Sequence, residues 1–161
     1  ILLKPAQLTL EEFETMKQHT TIGKEALHKA IQEMGQSTFL ATAQQIAYSH
    51  HGKWDGTGYP QGLGGEDIPL PARLMAVADV YDALISKRVY KPAFTHEKAK
   101  EILMEGSGSH FDPTIIKSFL AQEDTIKAKI PRRITAPTAS CYPNWQMPGQ
   151  NYRLLSTPRM I

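Results

Sequence analysis

The sequence predicts an all-α fold. Apolar residues recur at helical spacing in segment after segment up to residue 123, no alternating strand-like run of useful length interrupts them, and capping signals stand at the expected ends. With 161 residues the chain suits one domain with a tail and can bury a usable core.

After an extended start over 1–7, Thr9 and Glu12 form a T-x-x-E capping box, with Leu10, Phe13 and Met16 at helical spacing behind it. A first helix therefore begins at Leu10 and carries His19 near its end. Ile22, Ala26, Leu27, Ala30, Ile31 and Met34 repeat with helical period, and Gly35 follows where a left-handed C-terminal cap sits, which predicts a second helix. Ser37 or Thr38 caps a third, whose stripe of Phe39, Leu40, Ala43, Ile46 and Ala47 reaches His50 and His51.

From Gly52 to Leu70, Gly52, Gly56, Gly58, Gly62, Gly64 and Gly65 with Pro60 and Pro69 make a long non-helical loop. Loops of this length inside a compact domain are uncommon and often functional. Pro71 suits the first turn of a fourth helix, whose Leu74, Val77, Ala78, Tyr81, Leu84 and Ile85 face a core and whose Asp79 and Asp82 stand close on one side. A fifth helix starts after Thr95 and stops at Gly106, with Ala99, Ile102 and Leu103 inward. A sixth has Asp112 as N-cap and Pro113 at its first position, then Ile115, Ile116, Phe119 and Leu120. Residues 1–123 thus read as one helical domain. Residues 124–161, with scattered prolines and no period, read as an irregular tail that wraps the domain or is disordered.

The net charge of +2 is too mild, and Lys and Arg are too scattered among Asp and Glu, to argue for a nucleic-acid surface. A single cysteine, Cys141, excludes an intrachain disulfide and favours a reducing compartment. No apolar run approaches the roughly 20 residues needed to span a bilayer, and no signal-peptide pattern opens the chain. The expectation is a soluble, cytoplasmic segment without DNA or membrane as partner.

The stretch HHGKWDGTGYPQGLGG, beginning at His50, carries the chemistry. A lone histidine in a helical protein is most often structural. Adjacent histidines at a helix end, beside a glycine loop and followed by two aspartates on the next helix, are a less ordinary combination. Imidazole with carboxylate suits iron, manganese or zinc better than calcium, which makes His19, His50, His51 and Asp79 candidate ligands drawn from three helices. Two metals sharing such ligands would clamp a phosphate for in-line phosphodiester hydrolysis; a polar cluster without metal is the competing reading. Arg88 and Lys91, with Tyr59, would bind a phosphate and stack on a base, unless the two cations are only a solvated helix end. A nucleophilic triad is disfavoured, since Cys141 lies in the tail and no Ser sits in a G-x-S-x-G turn; a P-loop would need a GK[ST] ending.

HHGKWDGTGYPQGL, IPLPARLMAVADVYDALISKRVYK and GSHFDP, preceded by ILLKPAQLT and MKQHTTIG, together resemble the HD-GYP domain. This branch of the HD phosphohydrolases hydrolyses the bacterial second messenger cyclic di-GMP. The resemblance runs from about Ile1 to about Gln122 and implies a helical bundle of the HD/HD-GYP phosphohydrolase type. It implies metal-ligand roles for His19, His50, His51 and Asp79, with His50, His51 and Asp79 at the catalytic centre. It implies substrate contacts for Tyr59, Arg88 and Lys91, and a signature loop of Asp55, Gly56, Gly58, Tyr59 and Pro60. The implied cofactor is a divalent transition metal, iron or manganese, two or more in an intact domain. The implied partners are cyclic di-GMP, a GGDEF-type diguanylate cyclase or another signalling protein, and a second copy of the chain as a homodimer.

The family's name-giving His-Asp pair, with a lysine shortly after it, is expected upstream of ILLKPAQ, and no HD dipeptide occurs in the sequence. The expectation is therefore a partial domain with an incomplete metal site, inactive alone, whose parent opens cyclic di-GMP either to pGpG only or onward to GMP. An exposed apolar face is expected where further helices would pack, covered by tail residues such as Tyr142, Trp145 and Leu154 or by a second chain. The competing readings are a non-catalytic module that binds the nucleotide or a signalling protein, and a helical bundle whose histidines and aspartates satisfy one another.

Overall fold

A computed structural model of the chain describes residues 4, 8–35, 37–86 and 93–129. Six α-helices follow one another: α1 (Leu10–Met34), α2 (Thr38–Ser49), α3 (Leu70–Ile85), α4 (His96–Glu105), α5 (Pro113–Ala121) and α6 (Glu123–Lys129). Among the described residues there is no strand, and no helix is long and apolar enough to cross a membrane. The all-α expectation holds.

Local chemistry accounts for the helix starts. Thr9 Oγ1 accepts from Glu12 N at 3.2 Å and the Glu12 carboxylate accepts from Thr9 N at 2.7 Å, so two otherwise unsatisfied donors of α1 are met reciprocally. Thr95 Oγ1 caps α4 by accepting from Lys98 N at 3.2 Å, and Asp112 caps α5 through Thr114 N at 2.7 Å.

Three features depart from the sequence reading. The first two expected helices are one continuous α1. Thr20, Thr21 and Gly23 are poor helix formers, but Thr20 is fully buried with its hydroxyl donating to the Lys17 carbonyl at 2.9 Å. A Cβ at Gly23 would stand 3.3 Å from Ala47 Cβ, so the glycine lets α1 and α2 approach closely, and packing outweighs propensity. On α3, Leu74 is 50 % exposed and Ala78 is exposed; the core side is carried by Ala72, Ala76, Val77 and Tyr81. Finally, α6 occupies residues that begin the expected irregular tail, while 130–161 lie outside the described residues.

Tertiary contacts hold this short last helix. Glu123 accepts from His96 Nε2 at 2.9 Å and from Lys100, with Lys127 at 3.0 Å, and Ile126 packs on the core. The bonds from Lys127, His96 and Lys100 push the Glu123 carboxyl down to about 2. His96 Nδ1 is hydrogen-bonded to the Tyr81 hydroxyl at 2.6 Å, which ties α3 to α4 and α6.

The main core lies among α3, α4 and α5, built from Val77, Tyr81, Ala99, Leu103, Phe111, Ile115 and Ile116. By contrast, α1 and α2 fully bury only Thr20 and Ser49, and Leu10, Ile22, Met34 and Phe39 stay exposed.

Candidate metal centre

The end of α2 and the middle of α1 converge. His50 is the C-cap residue of α2 and His51 follows it, while His19 projects from α1. His51 Nε2 stands 3.0 Å from His19 Nε2, and His19 Nε2 stands 3.4 Å from His50 Nε2. A ring nitrogen from each histidine falls within 4.8 Å of the other two, a grouping that fits a metal ion.

Backbone carbonyls set the tautomers. A carbonyl only accepts, so His19 Nδ1, 2.7 Å from Met16 O, and His50 Nδ1, 2.8 Å from Ile46 O, must each carry the proton. In the neutral rings both Nε2 atoms then hold lone pairs that face each other. Such a pair needs a proton or a cation between its members, and imidazoles held by a second hydrogen bond in this way are the usual form of metal-ligating histidine.

Burial pushes the His51 imidazole down to about 2, with the neighbouring His50, His19 and His110 adding to it. Burial likewise lowers His50, against the opposing effects of the Ile46 carbonyl and the Asp79 charge. Both rings are therefore kept neutral, the state a metal ligand requires.

Asp79 lies half-buried on α3, near enough to act on the charge of His50, but outside the three-histidine cluster. Arg88 and Lys91 lie outside the described residues. Tyr59 is brought to the site, its ring 4.7 Å from that of His51 at 33°. Burial raises its phenol, which stays protonated.

The glycine loop is anchored rather than loose. Trp54 N donates to His110 O at 3.1 Å and Asp55 N to Ser109 O at 2.8 Å, so the connection between α4 and α5 supports the loop, and Gly65 N returns to Trp54 O at 2.8 Å. Asp55 Oδ1 accepts from Thr57 N and Oγ1, forming a local turn ahead of Gly58. Burial works to raise the Asp55 carboxyl, and these bonds with the Lys53 charge more than offset it. At Gly58 a Cβ would fall 2.4 Å from Lys53 N and 2.5 Å from His51 O, so only glycine lets the loop lie on the backbone of the histidine pair.

Sequence reasoning missed His110, Phe13 and Lys17 as neighbours of the site. The GSHFDP segment was the only hint of the first. Burial, then the Lys53 charge, pushes His110 down to about 4.

A pH dependence follows. In the unfolded chain both His51 and His110 titrate near about 6.5, so below that pH the unfolded state takes up protons that the folded state excludes, and stability falls with pH. The metal-free protein is expected to lose up to about 2 kcal/mol per histidine between about pH 6.5 and 5. Urea midpoints at about pH 7.5 and 5 check this, with His110→Gln recovering part of the loss; equal midpoints would contradict it.

An all-α bundle that converges histidines from two helices is an architecture able to hold a metal ion. The HD domain family matches residues 1–115, and the chain belongs to that family. A cyclic di-GMP phosphodiesterase of Vibrio cholerae is 62 % identical over 128 residues, covering 80 % of this chain and 26 % of the relative. A cyclic di-GMP phosphodiesterase of Thermotoga maritima is 44 % identical over 126 residues, covering 78 % and 33 %. A 3'3'-cGAMP-specific phosphodiesterase 2 of Vibrio cholerae is 41 % identical over 134 residues, covering 81 % and 25 %. The chain thus spans about a quarter to a third of the length of these relatives.

Proposed function

We propose that this chain supplies the histidine side of a metal-dependent phosphodiesterase site for cyclic di-GMP. The convergence of the His19, His50 and His51 ring nitrogens carries the reading, because two of them are fixed by carbonyls as lone-pair donors toward one point. The donor set of imidazoles with Asp79 nearby fits iron or manganese, and the relatives named for cyclic di-GMP support the substrate. A bound divalent metal would supply Lewis acidity toward water and the phosphoryl oxygens.

The chain's own residues then do the following. His19, His50 and His51 present ring nitrogens, those of His50 and His51 kept neutral by burial, and Asp79 adds negative charge beside His50. Tyr59 lies against the cluster and presents a protonated phenol to the nucleotide, and Arg88 and Lys91 supply cations for its phosphates. Asp55, Gly56, Gly58 and Pro60 shape the loop that carries Tyr59, and the same loop offers a surface to a diguanylate cyclase or another signalling protein. A second-messenger substrate supports a cytoplasmic location.

In a second reading these residues bind the nucleotide without cleaving it, which a native gene lacking the His-Asp pair would favour. We expect these residues alone to bind cyclic di-GMP in the presence of manganese and to release little or no pGpG or GMP. Calorimetric titration with cyclic di-GMP and with 3'3'-cGAMP, beside product analysis by chromatography, tests both readings. Binding without turnover supports the incomplete site, rapid turnover shows that the site works as it stands, and binding of 3'3'-cGAMP alone reassigns the substrate. Absence of binding to either nucleotide contradicts the proposal.

A further inference from the structure

The Tyr59 ring is enclosed by side chains from α1 that no sequence motif connects to it. Phe13 meets it edge-on, with centroids 6.1 Å apart at 83°. Lys17 Nζ lies over both rings, 4.9 Å from the Phe13 centroid and 5.5 Å from that of Tyr59. Glu14 holds the same ammonium at 2.6 Å. Phe13 and Lys17 are four apart on α1, which puts them on one side of it.

On its way to the cluster, the same loop touches His51 twice more. Tyr59 N donates to His51 O at 3.2 Å, and Gly58 lies directly on the His51 and Lys53 backbone. His19 and His50 are oriented by the Met16 and Ile46 carbonyls, and the Tyr59 ring lies against the His51 imidazole, tilted 33° to it.

We propose that Phe13 and Lys17 clamp the Tyr59 ring against His51, so that the glycine loop braces the metal centre from α1. This rests on the reading of the three histidines as ligands. Phe13, Lys17 and Tyr59 are then positioning residues acting through His51, and α1 contributes both the ligand His19 and the support of its partner.

Groups that orient a metal ligand typically cost 10–100-fold in metal affinity when removed. Manganese is titrated by calorimetry against the parent chain, Phe13→Ala, Lys17→Met, the conservative Phe13→Tyr, and Ile116→Val as a variant of the distant core. The expected result is roughly 10-fold weaker binding for Phe13→Ala and about 3-fold for Lys17→Met, with Phe13→Tyr and Ile116→Val like the parent. Thermal melts run alongside; a fall in stability for Ile116→Val without a fall in affinity shows that the readout is not stability alone.

Unchanged affinity in both clamp variants, while the parent binds manganese and His50→Ala/His51→Ala does not, overturns the brace and leaves the metal centre standing. A parent that binds no manganese overturns both. If Phe13→Ala does not fold, Lys17→Met decides, because its side chain is partly exposed on the helix surface.

Discussion

Replacing His50 and His51 together by alanine is expected to abolish metal retention, while the parent chain leaves purification with iron or manganese bound. The double variant removes two of the three ring nitrogens that converge within 4.8 Å. Outer groups around a metal are already worth 10–100-fold in affinity, so losing two direct ligands should weaken binding by more than about 100-fold. Elemental analysis reads this directly. Added manganese should also raise the melting temperature of the parent and leave that of the variant unmoved, because a ligand stabilises only a fold that binds it. Equal metal in the two proteins would mean that the histidine cluster is a polar contact and no ligand set.

The largest loss of stability is expected for Asp112→Ala. Its carboxylate, 3 % exposed, accepts from Arg73 Nη1 at 2.7 Å and also caps α5 through Thr114 N. Removing it leaves a guanidinium only 15 % exposed without its partner, on a side chain whose Nε already has no partner among the described residues. Breaking a buried pair from one side costs about 3–5 kcal/mol, and the lost cap adds about 1 kcal/mol. The melting temperature should fall by more than about 10 °C. The double variant Arg73→Met, Asp112→Leu should lose much less, since it strands no charge. A single-variant loss below about 1 kcal/mol would show that the pair is solvated in solution.

Asp112 also shows how far the sequence reaches. Its place before Pro113 marks it as an N-cap, and the structure confirms the cap. Nothing local announces that the same carboxylate closes on Arg73 of α3. The site divides in the same way. The histidine pair was legible because it follows an apolar stripe that ends in a glycine loop, and His19 because it stands in the MKQH motif of a resembling family. Phe13 reads only as an apolar position at helical spacing and Lys17 carries no signal of its own, since their link to Tyr59 arises only when the loop folds back onto α1.

What the sequence by itself determined is local in range: helix starts at Thr9, Thr95 and Asp112, the break at the histidine pair, and imidazoles and glycines at the places where chemistry needs them. Caps, periodicity and turn residues act over a few neighbours, so they can be read along the chain. The tertiary structure alone decided that α1 runs unbroken past Gly23, that Glu123 secures a short α6, and that Leu74 and Ala78 face outward. It also brought the three Nε2 atoms to one point. Each of these depends on packing between distant segments, where burial and close approach outweigh the local preference of any single residue.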